Sequence, residues 1–539
     1  MADAFLDLLA ASNPAPESAA LHTPGATIAL DRAAALFSAH EREVLPRLSV
    51  LWAYYRNPVA PSWWLGAARA IARRTPTGGG AAGGVRLAQE RGLPNRFWTA
   101  GALRSPLDTT ERGGRREIVI ENDIAWRIQT MVDFLFNRPV RLTSTAADAP
   151  LAAQIDAALE AAWEASGGMS LLQDAALLAH VYGHVDLLVR VIPAGEAAGA
   201  AGADAASDLG LGAPGESADA PGAAQSVERL IDAARRIRIE IVDPSRGVPV
   251  VSAGDYRLLE GYIVRTAIEQ ADGTALATTE VFTAATRSVY EQRLGVDGAP
   301  LGGAKLVERD TRSGDAGVPV VHIQNVSQPF VYSGLSEVEP LIPLQDELNT
   351  RLSDRANRVT MQSFKMYLAK GVEGFDQSEI GPGVVWLTEN ENAKIESFGG
   401  DAASPSEESH IDEVREAIDK VSGVPPLAAG VVRAKIGNLT SENALRVTLQ
   451  GLLTRTARKR SAWGRGIAGV SRLVLAELDR QGALVTRPAQ RGINVDWADA
   501  LPRDVADELK SAQIKRDLGV DPQRVLSDLG IGAADRGVE

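Results

Sequence analysis

The sequence predicts an α+β fold, and three observations carry that prediction. Residues 236–323 alternate apolar and polar side chains in short runs separated by Gly, Asp and Pro, which is the period of half-buried strands. Two stretches, from Pro343 and from Ser404, instead place apolar residues at steps of three or four in a narrow stripe, with short β-like runs between them. A third helical stretch, from Thr440 to about Arg480, is the longest of all and follows a loop bounded by Gly430 and Gly437. The expected chain is therefore a mixed α/β body, two helices flanking a small β excursion, a long helix and a helical C-terminus.

Residues 1–30 are rich in Ala, Pro and Ser without periodicity and read as a loose arm. Leu36, Phe37, Val44, Leu45, Leu48, Leu51, Trp52 and Tyr55 form a helical face that Pro58 stops. The glycine run at 78–84 lacks the Gly-Lys-Ser/Thr ending that grips phosphates and reads as a loop. Asn122 or Asp123 caps a helix whose inner face is Ile124, Ile128, Met131, Val132 and Leu135, and Asn137-Arg138-Pro139-Val140 ends it, with Asn137 suited to a left-handed turn. A helix from about Ser170 to Val181 runs through Tyr182-Gly183-His184 into a strand. His180 and His184 have a metal-ligand spacing, but Gly183 separates them and no HExxH glutamate follows, so hydrogen-bonded turn histidines are expected and no metal site. Residues 194–226 are Ala/Gly/Asp/Ser/Pro and read as an inserted loop.

Pro343 suits a first helical position and Gly371 a stop, giving a helix over 343–370 of about 42 Å. Leu344, Leu348 and Leu352 lead its stripe, and Ile411, Val414 and Ile418 lead that of the returning helix. So much of the first helix is polar that burial inside a single chain is not expected, and a neighbouring copy should complete it. In the long helix, Gly464, Gly466 and Gly469 predict a kink, since each costs about 1 kcal/mol relative to alanine. Around them stand Arg455, Arg458, Lys459, Arg460, Arg465 and Arg472 with no acid between Glu442 and Glu477, a basic run that is usually a solvated face and can instead meet DNA or an acidic neighbouring subunit. Two short helices, 504–518 and 522–529, are expected in the tail.

The order of these features resembles the portal proteins of tailed phages over roughly 117–480. The residues that carry it are Gly334-Leu335-Ser336-Glu337 opening a long helix, Asn137-Arg138-Pro139-Val140 closing an Asn-led one, and the Tyr182-Gly183 turn. The resemblance implies a portal fold: arm 1–30, wing 31–334, first stem helix 335–371, clip 372–403, second stem helix 404–423, tunnel loop 424–439, long kinked helix 440–482 and crown 483–539. It further implies a ring of about twelve copies at one capsid vertex, assembled in the host cytoplasm. Terminase and a head-tail adaptor would dock on it, and major capsid and scaffolding proteins would surround it. Double-stranded DNA would pass through without sequence-specific contact. Arg433, Lys435 and Asn438 of the tunnel loop would face that DNA, and the two leucine/isoleucine stripes would serve oligomerisation.

Composition narrows the remaining classes. The net charge of −13 excludes global attraction to nucleic acid, so any DNA contact must be local. With no cysteine there is no disulfide framework or thiolate metal site, and no cofactor is expected. Asp3 stands where a signal peptide would be basic, and no apolar run approaches the roughly 18 residues of a membrane span, so an intracellular product without a membrane partner is expected. An enzyme is disfavoured because no Walker lysine, clustered metal set or Ser/His/Asp constellation can be placed. A cellular scaffold of coiled rods is disfavoured because neither stripe sustains a heptad repeat.

Overall fold

The computed structural model describes residues 28–58, 87–93, 118–192, 222–252, 254–312, 317–363, 366–370, 394–398, 405–429, 442–501, 505–519 and 525. It mixes α and β structure and divides into two compact units. The first comprises Met1–Trp52, Trp126–Glu339 and Gly423–Glu539, and the second Ala53–Ala125 and Pro340–Ser422.

The first unit begins with α1 (Leu30–Glu43) and α2 (Leu45–Arg56), whose last residues belong to the second unit. The single helix expected here is two, because Pro46 starts a new helix where its missing N–H costs nothing. Next come α3 (Asp123–Leu135), β1 (Arg141–Ser144), α4 (Ala149–Ala165), α5 (Gly168–Tyr182) and β2 (His184–Val191). They are followed by α6 (Gly222–Arg235), β3 (Ile237–Val242), β4 (Gly247–Val251), β5 (Leu259–Glu269), β6 (Ala275–Thr283), β7 (Thr286–Leu294), β8 (Lys305–Thr311) and β9 (Val320–Gln324). Strand β2 lies between β3 and β9 in an antiparallel three-stranded sheet, while β4 to β8 form a five-stranded antiparallel meander in chain order.

Period-two alternation assigns the two faces of the meander. On β5, Tyr262 and Val264 join Leu188, Val242, Phe282 and Val320 in one cluster, whereas Ile263 joins Val248, Val250 and Val281 beneath Ile28, Ala33 and Phe37. The largest core is built around β2, whose Val185, Leu187 and Val189 meet Leu159, Ala176, Ala179, Ile237 and Ile239. Helices α4 and α6 and strand β8 are elements that the sequence reading passes over. Helix α6 begins at Gly222, inside the stretch 194–226 expected to be the insert.

The second unit contains α7 (Ile342–Ser363), β10 (Met366–Lys370), β11 (Lys394–Phe398) and α8 (Pro405–Ser422). Strand β11 is where the sequence places it. Helix α7, however, ends seven residues before Lys370, because Met366–Lys370 pairs antiparallel with β11 and satisfies its backbone there instead. Helix α7 also overturns the expectation that so polar a helix cannot close within one chain. Leu348, Leu352, Ile411, Val414 and Ile418 are all buried.

The chain returns to the first unit with a short 3-10 turn at Pro426–Ala429, α9 (Glu442–Thr448) and α10 (Gln450–Arg480). The break falls at Leu449, and α10 then runs 31 residues without interruption. The three glycines are contact points rather than a kink. A Cβ on Gly466 would stand 2.4 Å from Ile323 Cδ1, and one on Gly469 3.3 Å from Val321 Cγ1, so their absence lets β9 lie directly on the helix. Last come β12 (Ile493–Asp496), which pairs with β1, and α11 (Val505–Asp517), so the region expected to be wholly helical carries a strand. Asn137 is not in a left-handed turn; its Nδ2 donates to Ala500 O at 2.8 Å.

Candidate functional site

The sequence features singled out above converge on one buried acid of the first unit, Glu337. Gly183 ends α5 at φ 95° and Gly334 turns at φ 65°. A Cβ on Gly183 would lie 2.7 Å from Ser333 O and one on Gly334 2.6 Å from Gly183 O, so the two turns approach too closely for any other residue. Ser336 Oγ donates to Val181 O at 2.6 Å and accepts from the Val338 and Glu339 N–H groups, a local turn that holds Glu337 against the end of α5. The Glu337 N–H donates to His180 O at 2.9 Å.

The Glu337 carboxylate is thereby held inside the protein, where it receives Lys459 Nζ at 2.7 Å and Arg455 Nη1 at 3.6 Å from α10. Lys459 also contacts Met131 Sδ of α3 at 3.5 Å. Burial works against the carboxylate's charge, but Lys459 and Arg455 outweigh it and hold Glu337 below its usual range. Burial pulls Lys459 down against the attraction of Glu337. Beside it, burial and then Lys459 push His180 down to about 3, keeping its ring neutral with Nδ1 on Ala176 O at 2.6 Å.

This arrangement sorts the basic run. Lys459, expected to face DNA or a neighbouring subunit, is only 4% exposed and is committed to Glu337. Arg455 is half-exposed on the same acid. Arg460 donates to Ala498 O and Phe134 O and lies over the Trp497 ring. Arg458, Arg465 and Arg472 remain exposed. Arg433, Lys435 and Asn438 of the expected tunnel loop, the strand expected at 383–387 and, apart from residue 525, the tail helix expected at 522–529 lie outside the described residues.

A second buried acid, Asp186 of β2, was not found from sequence. Tyr262 of β5, Tyr332 and His322 of β9 all donate to it, at 2.7, 2.7 and 2.8 Å, so it ties the three-stranded sheet to the meander. His184 stands against His322 and Tyr332 with Nδ1 on Ser333 O, and burial lowers it to about 4. A lone Asp inside the run His184-Val185-Asp186-Leu187-Leu188-Val189 was the available signal.

In the second unit the polar face of α7 is a ladder. Gln345, Asn349 and Ser353, one turn apart and all fully buried, hold the extended segment 119–123. Asn349 Oδ1 accepts from the Glu121 N–H, Gln345 Oε1 from the Asp123 N–H and Ser353 Oγ from the Val119 N–H, each at 3.0 Å. Asn349 Nδ2 donates to Gln89 Oε1 at 3.0 Å, and Gln89 Nε2 donates to Tyr54 O and Asn122 Oδ1. Leu344 is half-buried, and the other five stripe residues assigned to oligomerisation are closed within the chain.

Comparison with known proteins gives one family. The family described as "Phage portal protein, SPP1 Gp6-like" matches residues 127–528. No curated protein matches. Among solved structures, the neck of an empty gene transfer agent particle computed with C6 symmetry is 13% identical, covering 76% of this chain and 89% of that one at a TM-score of 0.41. The virion of a native gene transfer agent particle gives 12%, 79%, 93% and 0.34, and the native neck computed with C12 symmetry 13%, 76%, 89% and 0.39. These are distant likenesses.

Proposed function

The chain belongs to the SPP1 Gp6-like family of phage portal proteins, a structural family, and on that premise we propose that it forms a ring of about twelve copies at one capsid vertex. Double-stranded DNA enters and leaves through the ring. The observation that carries this reading is the family match over 127–528, which spans both units. In this reading α7 and α8 are the stem, β10 and β11 belong to the clip, and the first unit supplies wing, long helix and crown. Terminase and later the head-tail adaptor dock on the clip, and major capsid and scaffolding proteins meet the wing. Assembly takes place in the host cytoplasm and the product resides in the virion.

Intrachain burial of Leu348, Leu352, Ile411, Val414 and Ile418 alters one part of the proposal. These residues join the stem helices to each other, and ring contacts use other faces. Arg433 and Lys435, with Asn438, remain the proposed guides for sliding DNA, since weak, salt-sensitive phosphate contacts suit movement. Electron microscopy of the purified full chain tests the reading: rings with a central hole are expected, and a compact monomer at all concentrations overturns it. R433A/K435A should form normal rings that retain or package DNA poorly, whereas loss of rings would make the two residues structural.

A further inference from the structure

Three arginines of the basic run are left unused by the fold. Arg458, Arg465 and Arg472 are exposed on α10 and have no hydrogen-bond or ion-pair partner among the described residues, while Arg455, Lys459 and Arg460 are engaged. They are seven residues apart, so each step is two turns and about 10.5 Å along the helix, and the three stay within roughly 40° of one face. No acid lies between Glu442 and Glu477 to neutralise them. The exposed and half-exposed residues between them on that face are Ser461, Ala462, Ala468 and Gly469, all small, with Val321 of β9 packed beside Gly469.

We infer that this stripe is a second polyanion site, distinct from the tunnel loop, that lies along the phosphate backbone of double-stranded DNA. It rests on the portal reading for the presence of that DNA. Two features favour phosphate over an acidic face of a second copy. A protein interface needs buried aromatic or aliphatic anchors, and this face has none between the arginines. Small neighbours, in contrast, let a rigid, uniformly charged rod approach three guanidinium groups, each of which can take two phosphate oxygens. Val470, Val474 and Leu475, fully buried around Arg472, fix the helix backbone that presents it.

The test uses the full chain and a 30-base-pair duplex of arbitrary sequence at low salt. Wild type should bind. R458Q/R465Q/R472Q should lose roughly tenfold or more in affinity, and the slope of log K against log salt should fall by about 2.7 for each engaged chain. A control carrying the same charge change elsewhere, R42Q/R138Q/R235Q, should bind like wild type. Microscopy of the same samples should show unchanged assembly. Equal loss in both triple variants, no effect in the stripe variant, or no duplex binding by wild type each overturns the site. So does loss of rings in the stripe variant alone, which would assign the arginines to a neighbouring copy. Wild-type rings in any of these cases leave the portal reading standing, and wild-type monomers remove it separately.

Discussion

The two units solve the same problem with different chemistry. The first buries apolar side chains from several helices and the strands of three sheets around β2 and encloses two acids, Glu337 and Asp186, each with its own partners. The second places its long helix against an extended strip of chain through side-chain amides, with Gln345, Asn349 and Ser353 doing what apolar residues do elsewhere. The difference teaches that polarity is no guide to exposure when every donor and acceptor has a partner: a satisfied buried amide costs little, whereas an orphaned one costs its full desolvation.

The largest effect should come from breaking the Glu337 junction. Lys459→Met leaves the Glu337 carboxylate, 6% exposed, with Arg455 alone at 3.6 Å, and the first unit should lose about 3–5 kcal/mol. Hydrogen exchange should rise in α10 and α5 and stay unchanged in α7. The double variant E337Q/K459M should regain most of the loss, and failure to do so would mean that lysine packing rather than the uncompensated charge sets the cost.

Asn349→Leu is the matching break in the second unit. It strands the Glu121 N–H and Gln89 Oε1 and should cost about 1–3 kcal/mol, read as faster exchange in α7 and α8 but not in α10. Asn349→Asp keeps the acceptor for Glu121 and loses the donor to Gln89, so it separates the two bonds. A leucine variant as stable as wild type would show that the ladder is incidental and the apolar stripe alone holds the unit.

Acid should act chiefly on the first unit. His180 and His184 are held down to about 3 and about 4, below the unfolded value of 6.5, so their contribution is full above that pH. As pH falls from 6.5 toward 4 the unfolded state takes up protons that the native state does not, and each histidine removes about 1.4 kcal/mol per pH unit. Melting followed between pH 7.5 and 4.5 should show a steep drop that His184→Gln makes shallower. An unchanged slope in that variant would take His184 out of the account.

Parts of both units were legible in sequence because apolar periodicity decided them. Ile124, Ile128 and Leu135 on α3, the strand beginning at His184, and the Ile411, Val414 and Ile418 seam of α8 fell where their spacing put them. The failures have physical causes. Gly466 reads as a helix breaker because nothing local reveals Ile323 waiting against it. Asn137 reads as a glycine substitute because its partner, Ala500 O, is 363 residues away. Strand β12 exists through pairing with β1, a partner that propensity does not see. At the candidate site the basic run was visible, but which cations it spends on Glu337 depends on the side of α10 each occupies, and only packing settles that.

The smallest effect should come from the half-exposed ion pairs of the second unit. Glu347 accepts Arg351 Nε at 2.6 Å and His410 Nε2 at 3.0 Å, and Arg415 reaches Glu121 at 2.6 Å. Burial works against the charge of Glu347, but His410 and Arg351 hold it below its usual range. All of these groups remain in contact with solvent, so holding long side chains in one geometry offsets most of the Coulomb gain, and each pair should contribute about 0.2–1 kcal/mol. A double-mutant cycle of E121Q and R415Q, the pair that links α8 to the segment held by the ladder, should give a coupling in that range near 0.15 M salt that vanishes by about 1 M, where screening acts within roughly 3 Å. A coupling above about 1.5 kcal/mol that survives high salt would exceed what exposed pairs supply. It would make charge, not the amide ladder, the force that holds the second unit, and would bring its chemistry back toward that of the Glu337 junction.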